Sequence, residues 1–166
     1  TVAGALEITS GELDTSGSNY ALTVGGQTKI NGGTLTLNNS AISMGQTDLS
    51  PADSTWGLKT EGGGTFTGGS GTHIISSIFG ASGTVTLTSG NTTLNGFNTS
   101  SASPLKVTGS TVFAQTAGKV IFNGYNQQSI HLQKSIQFHD VQWSYAAEMK
   151  VFNWGTSYTI TVTGTL

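Results

Sequence analysis

Ala21-Leu22-Thr23-Val24-Gly25-Gly26 leads, through Asn31-Gly32-Gly33, into Thr34-Leu35-Thr36-Leu37-Asn38-Asn39-Ser40 and then Ala41-Ile42-Ser43-Met44-Gly45. Apolar and polar residues alternate at period two, which places Leu, Val, Ile and Met on one face of a strand and Thr or Ser on the other. Branched Thr, Val and Ile suit a pleated surface. Gly and Asn between the runs accept positive φ or cap a turn with their own side chains. The result is a succession of short half-buried strands separated by tight turns.

The same pattern extends in both directions. Thr84-Val85-Thr86-Leu87-Thr88 and Tyr158-Thr159-Ile160-Thr161-Val162-Thr163 alternate in the same way, and Gly68-Gly69, Asn95-Gly96 and Asn123-Gly124 punctuate it. No window carries a helical stripe. Ser144 to Lys150 comes nearest to a helical turn and is read as strand and loop. Two all-β architectures fit, a β-sandwich of pilin-like type and a solenoid. Internal similarity favours the solenoid. Units open at Ala5-Leu6-Glu7-Ile8-Thr9, at Ala21 and at Ala41, about 20 residues apart, as one turn of a β-helix requires. A second, glycine-led strand recurs at Gly11-Glu12-Leu13-Asp14, Gly33-Thr34-Leu35-Thr36-Leu37 and Gly83-Thr84-Val85-Thr86-Leu87.

One domain over residues 1–166 is expected, with a loop inserted between rungs at about 46–64, where Asp48, Pro51 and Asp53 break the rhythm. Each rung buries its apolar face only against its neighbours. Neither terminus carries a strongly charged cap, and the chain does not begin with Met, so a segment or subunit of a longer assembly is expected.

Only 8% of the 166 residues are charged, against roughly 25% in an ordinary soluble domain, and all six basic residues are lysines. Net charge is -2. Nucleic-acid binding, which needs a basic stripe, is excluded. Without cysteine there are no disulfides and no thiolate metal sites. No apolar run approaches the ~20 residues of a membrane span. The neutral Thr, Ser, Asn and Gln surface suits packed arrays and glycan contact, in an extracellular, cell-surface or appendage setting, or on a virion.

From Gly71 onward the chain resembles the repetitive β-solenoid regions of large secreted microbial surface proteins, adhesin-like or filament-forming, with similar runs in some phage structural proteins. Gly71-Thr72-His73-Ile74-Ile75 looks like their "GTHTI" opening. Gly83-Thr84-Val85-Thr86-Leu87 followed by Thr92-Thr93-Leu94-Asn95-Gly96 looks like "GTVTLTSGTTTLNG". Thr111-Val112-Phe113 through Gly118-Lys119-Val120-Ile121-Phe122-Asn123-Gly124 looks like "TFTHNSGTVTFNG", and Thr156 to Leu166 parallels "TTYTVTGTL". The resemblance implies a right-handed parallel β-solenoid with an adhesive or structural role, and it supplies no catalytic residues. His139-Asp140 stands where the family pattern has Tyr-Asn, and Trp143, Tyr145 and Trp154 are additions to it.

Few residues offer chemistry, and the chain is expected to be neither an enzyme nor a user of cofactor or metal. Glu12 and Asp14 share a strand face and form a candidate cation contact, although calcium takes six or more oxygens. His73, His131 and His139 are too far apart in sequence for a local metal motif. A carbohydrate-binding or polysaccharide-cleaving β-helix, the competing reading, requires Asp140, Glu148, Trp143 and His131 to line one cleft. Trp56, Trp143, Tyr145 and Trp154 are the candidate partner anchors. Asn38, Asn91 and Asn98 head N-x-S/T acceptor sites in predicted turns. Thr-x-Thr triplets at Thr34, Thr65, Thr84 and Thr159 suggest an ice-binding face, against which their uneven spacing counts. The expected partners are copies of the chain or adjoining solenoid repeats, and surface glycans.

Overall fold

The computed structural model describes residues 1–15, 17–45, 56–96, 103–124, 128–144, 149–153 and 157–166, with backbone alone for 128 and 149–153. Among these residues there is no helix, and every strand pair is parallel. The chain is a three-sided parallel β-solenoid.

Each rung supplies one strand to each side. The first is β1 (Leu6–Ile8), β2 (Glu12–Asp14) and β3 (Leu22–Val24); the second β4 (Thr28–Asn31), β5 (Thr34–Thr36) and β6 (Ile42–Met44). The third is β7 (Leu58–Glu61), β8 (Thr65–Thr67) and β9 (His73–Ile75); the fourth β10 (Ile78–Gly80), β11 (Gly83–Thr86) and β12 (Asn91–Leu94). The fifth is β13 (Leu105–Val107), β14 (Thr111–Ala114) and β15 (Lys119–Phe122); the sixth β16 (Gln128–Leu132), β17 (Ile136–Phe138) and β18 (Asp140–Trp143). β19 (Met149–Asn153) and β20 (Ile160–Val162) begin the seventh. The first side is a continuous ladder from β1 to β19, and the third runs from β3 to β18. The second runs from β2 to β14, then resumes as the pair β17–β20. The antiparallel pairing that a sandwich demands is not found among the described residues.

Stacking in register turns the alternation of each strand into columns. Inward on the second side stand Leu13, Leu35, Phe66, Val85 and Phe113. On the third stand Val24, Met44, Ile75, Leu94, Phe122 and Trp143. Leu35, Phe66, Val85 and Ile75 are fully buried, each such side chain contributing about 1.5–3 kcal/mol relative to an exposed one. Where the second ladder lapses between β14 and β17, side chains take over. Phe113 meets Phe138 edge-on at 5.8 Å, the His139 N–H donates to Gln115 Oε1 at 2.9 Å, and Lys134 Nζ donates to the Thr111 carbonyl at 2.8 Å.

Rung length varies most at one corner, between the third side and the first. Only Ser76 and Ser77 separate Ile75 from Ile78, whereas residues 45–57 separate Met44 from Leu58 and 95–104 separate Leu94 from Leu105. The expected insertion at 46–64 is therefore corrected at its far end. Leu58–Glu61 is β7, hydrogen-bonded between β4 and β10, and Thr65 opens β8; residues 46–55 lie outside the described ones. The 20-residue unit is corrected as well. Leu22 pairs with Ile42, a true rung step, but Leu6 pairs with Thr28, so the Ala5 and Ala21 openings belong to two sides of one rung. The glycine-led strands β2, β5 and β11 do share one side.

Candidate functional site: two contrasting faces

The outward positions of the second side form two columns. Glu12, Thr34, Thr65, Thr84 and Val112 stack in one; Asp14, Thr36, Thr67, Thr86 and Ala114 stack in the other. The central three rungs thus present a grid of six threonines, each partly exposed. Strand separation sets the spacing along a column at about 4.8 Å, and two residues of rise set the spacing across at roughly 6.6 Å. Thr36 Oγ1 donates to Glu12 Oε1 at 2.6 Å. The other five hydroxyls have no hydrogen bond to a described residue and face solvent. The uneven spacing of the triplets is only apparent. Thr34 and Thr65 sit 31 residues apart, yet adjacent in register, because the extra residues fall in the connection between β6 and β7. The fourth triplet is separate: Thr161 pairs with Gln137 in the β17–β20 pair.

The first side carries charge instead. Glu7, Lys29, Lys59, Phe79, Lys106 and His131 form its outward column. Lys29 and Lys59, like charges in neighbouring rungs, are joined by Glu61, which lies 2.8 Å from Lys29 and 2.6 Å from Lys59; Lys29 also reaches Glu7 at 3.1 Å. Hydrogen bonds from Lys29, then Lys59, hold the Glu61 carboxyl below its ordinary range, and Glu61 first, then Glu7, raises the Lys29 ammonium above its own. Lys59 and Lys106 both lie over the Phe79 ring, at 5.7 and 4.8 Å from its centroid. Sequence reading missed this face, because Phe79, Lys59 and Lys106 are brought together only by the register.

The expected site residues fall as follows. Glu12 and Asp14 do share a face, but Glu12 is bonded by Thr36 and Asp14 accepts Asn38 Nδ2 at 2.5 Å. Among the described residues no group of three metal-ligating side chains assembles. Trp56 is buried and packs on Phe79 at 5.2 Å, so its surface is used within the chain. Trp143 stacks on Phe122 at 4.6 Å and is half-buried. Tyr145 and Trp154 lie outside the described residues, as do Glu148 and Asn98.

His139 Nδ1 lies 3.4 Å from Asp140 Oδ1. That same oxygen accepts the Thr165 N–H at 2.6 Å, and this bond chiefly holds the Asp140 carboxyl below its usual value. Asp140 and Trp143 belong to the third side, His131 to the first, so the described members of the proposed cleft do not converge. Asn38 occupies a turn at φ 45°, as expected. Asn91 does not: it opens β12, exposed. Buried His73 stands in its column between Ile42 on one side and Thr92, with Val120 beyond, on the other.

No protein-family model, curated protein or solved structure matches the chain. Function is therefore argued from these faces and from the stack itself. Among the described residues no helix is long and apolar enough to cross a membrane.

Proposed function

We propose that the chain is a structural module of an extracellular rod or filament, acting by shape, stiffness and self-association. The observation that carries this reading is the apolar column left open at both outermost rungs. Leu6, Leu13 and Leu22 at one end, and Ile160 and Val162 at the other, point along the same columns as the interior core yet remain partly exposed. On the first and second sides the outermost strands β1 and β2 have no further strand beyond them among the described residues, and such edges can template another strand; on the third, Val2 and Thr165 already bond the edges of β3 and β18. A second copy, or adjoining solenoid rungs, would satisfy both by strand addition. The scarcity of charge allows such surfaces to approach without repulsion. Surface glycans are the further adhesive partner, and a cell surface, an appendage or a virion the setting.

Electron microscopy and sedimentation of natively purified chain test this proposal. Rods that lengthen with concentration, and that are lost in Leu13→Lys or Leu22→Lys, support it. Discrete monomers at every concentration overturn it.

A further inference from the structure

We propose that the outward face of β5, β8 and β11 binds ice. This goes beyond the structural role and does not depend on end-to-end stacking. Three observations carry it. First, Thr34, Thr65 and Thr84, with Thr36, Thr67 and Thr86, form a two-dimensional grid whose members are fixed by backbone ladders rather than by flexible side chains. A branched side chain has few χ1 states, so hydroxyl and methyl positions repeat from rung to rung. Second, the grid is uncharged. The chain's described ionic cluster of Glu7, Lys29, Lys59 and Glu61 occupies the first side, and on the second side Glu12 and Asp14 stand only on the rung bordering the grid. Third, five of the six hydroxyls have no hydrogen bond to a described residue, which leaves them for water.

A mobile ligand gains nothing from strict repetition, whereas a crystalline one does. The spacings of about 4.8 Å along a column and roughly 6.6 Å across are of the same order as the oxygen repeats of hexagonal ice, the match being closer along the column than across it. Each threonine offers a hydroxyl that enters the water lattice and a methyl that orders the water beside it. Crystalline polysaccharide is the less suited occupant, because flat sugar chains favour aromatic platforms and no aromatic residue stands outward in the grid.

The test follows fluorescently labelled chain during slow growth of an ice hemisphere, alongside inhibition of ice recrystallisation. The unaltered chain is expected to enter the ice. Thr65→Tyr and Thr84→Tyr, which place bulk on the outward face, are expected to be excluded from it with unfolding temperature unchanged. Thr23→Tyr, outward on the third side, is expected to enter ice as the unaltered chain does. Should a tyrosine variant unfold, Thr65→Val tests the same hydroxyl with the branched shape retained, and reduced entry is expected. Exclusion of the unaltered chain, or equal entry by all variants, overturns the proposal. So does retention on microcrystalline cellulose or chitin that the same variants lose while none enters ice, which would assign the grid to polysaccharide.

Discussion

His73 lies edge-on to Phe66, with ring centroids 6.0 Å apart and planes at 69°. The two come from different sides of one rung, and both are wholly enclosed. Neither imidazole nitrogen has a hydrogen-bond partner of good geometry among the described residues. Burial pushes the imidazole down to about 4, the nearby Gly68 carbonyl opposing that shift in part.

The pH dependence follows from this. Above the ordinary value of 6.5 the imidazole is neutral in folded and unfolded chain alike. Between 6.5 and about 4 only the unfolded chain takes up the proton, so stability falls as pH falls, by about 3 kcal/mol in total. Glu61 and Asp140, whose carboxyls are held low, give up their contribution only further down, below about 4. Denaturant midpoints measured between pH 7 and 4.5 should therefore drop in the unaltered chain and stay nearly level in His73→Ile. An equal drop in both would refute the assignment to His73.

Truncating the partner ring probes the core directly. Phe66→Ala should cost about 3–5 kcal/mol, since the rungs above and below prevent collapse around the cavity. Equilibrium unfolding in urea would measure it, and a loss below about 1 kcal/mol would mean that the column is not packed as described.

Glu61→Gln removes the carboxylate between Lys29 and Lys59. These groups are partly exposed, and the loss should stay under about 1 kcal/mol. The difference between variant and parent should shrink in concentrated salt, which screens both the lost attraction and the uncovered repulsion. A salt-independent difference would point to packing instead.

Two glycines of nearly equal φ separate strain from crowding. Gly63, at 83°, has open space where a Cβ would stand, and Gly63→Ala should cost about 1–2 kcal/mol from the left-handed backbone alone. Gly83, at 81°, would place its Cβ 2.1 Å from the Gly64 carbonyl oxygen, so Gly83→Ala must also shift the neighbouring rung. Its melting temperature should fall clearly further than that of Gly63→Ala; equal losses would argue against the close approach of rungs.

Much of the fold could be read from alternation and punctuation. The glycine before β2 and β5, and the one that opens β11, marked one side correctly because the corner there is short and nearly constant. The Ala5–Ala21 step misled because strands on different sides share the same Leu-Thr-Val grammar, and only hydrogen-bond register tells them apart. Leu58–Glu61 was hidden by the acids and proline just before it. The threonine grid was legible as triplets and illegible as a grid, since distance along the chain does not measure distance up the stack. The charged face and the Trp56–Phe79 contact join residues whose proximity no local pattern announces. Glu12 and Asp14 were placed correctly on one face, but their partners Thr36 and Asn38 come from the next rung.

Because the β6–β7 and β12–β13 connections absorb extra sequence without altering the strands on either side, the spine's pitch is uncoupled from the chain's contour length. Foreign peptides grafted between Met44 and Leu58 would hang from one hem of the prism, and lineages could lengthen or exchange that hem while inheriting the stack unchanged.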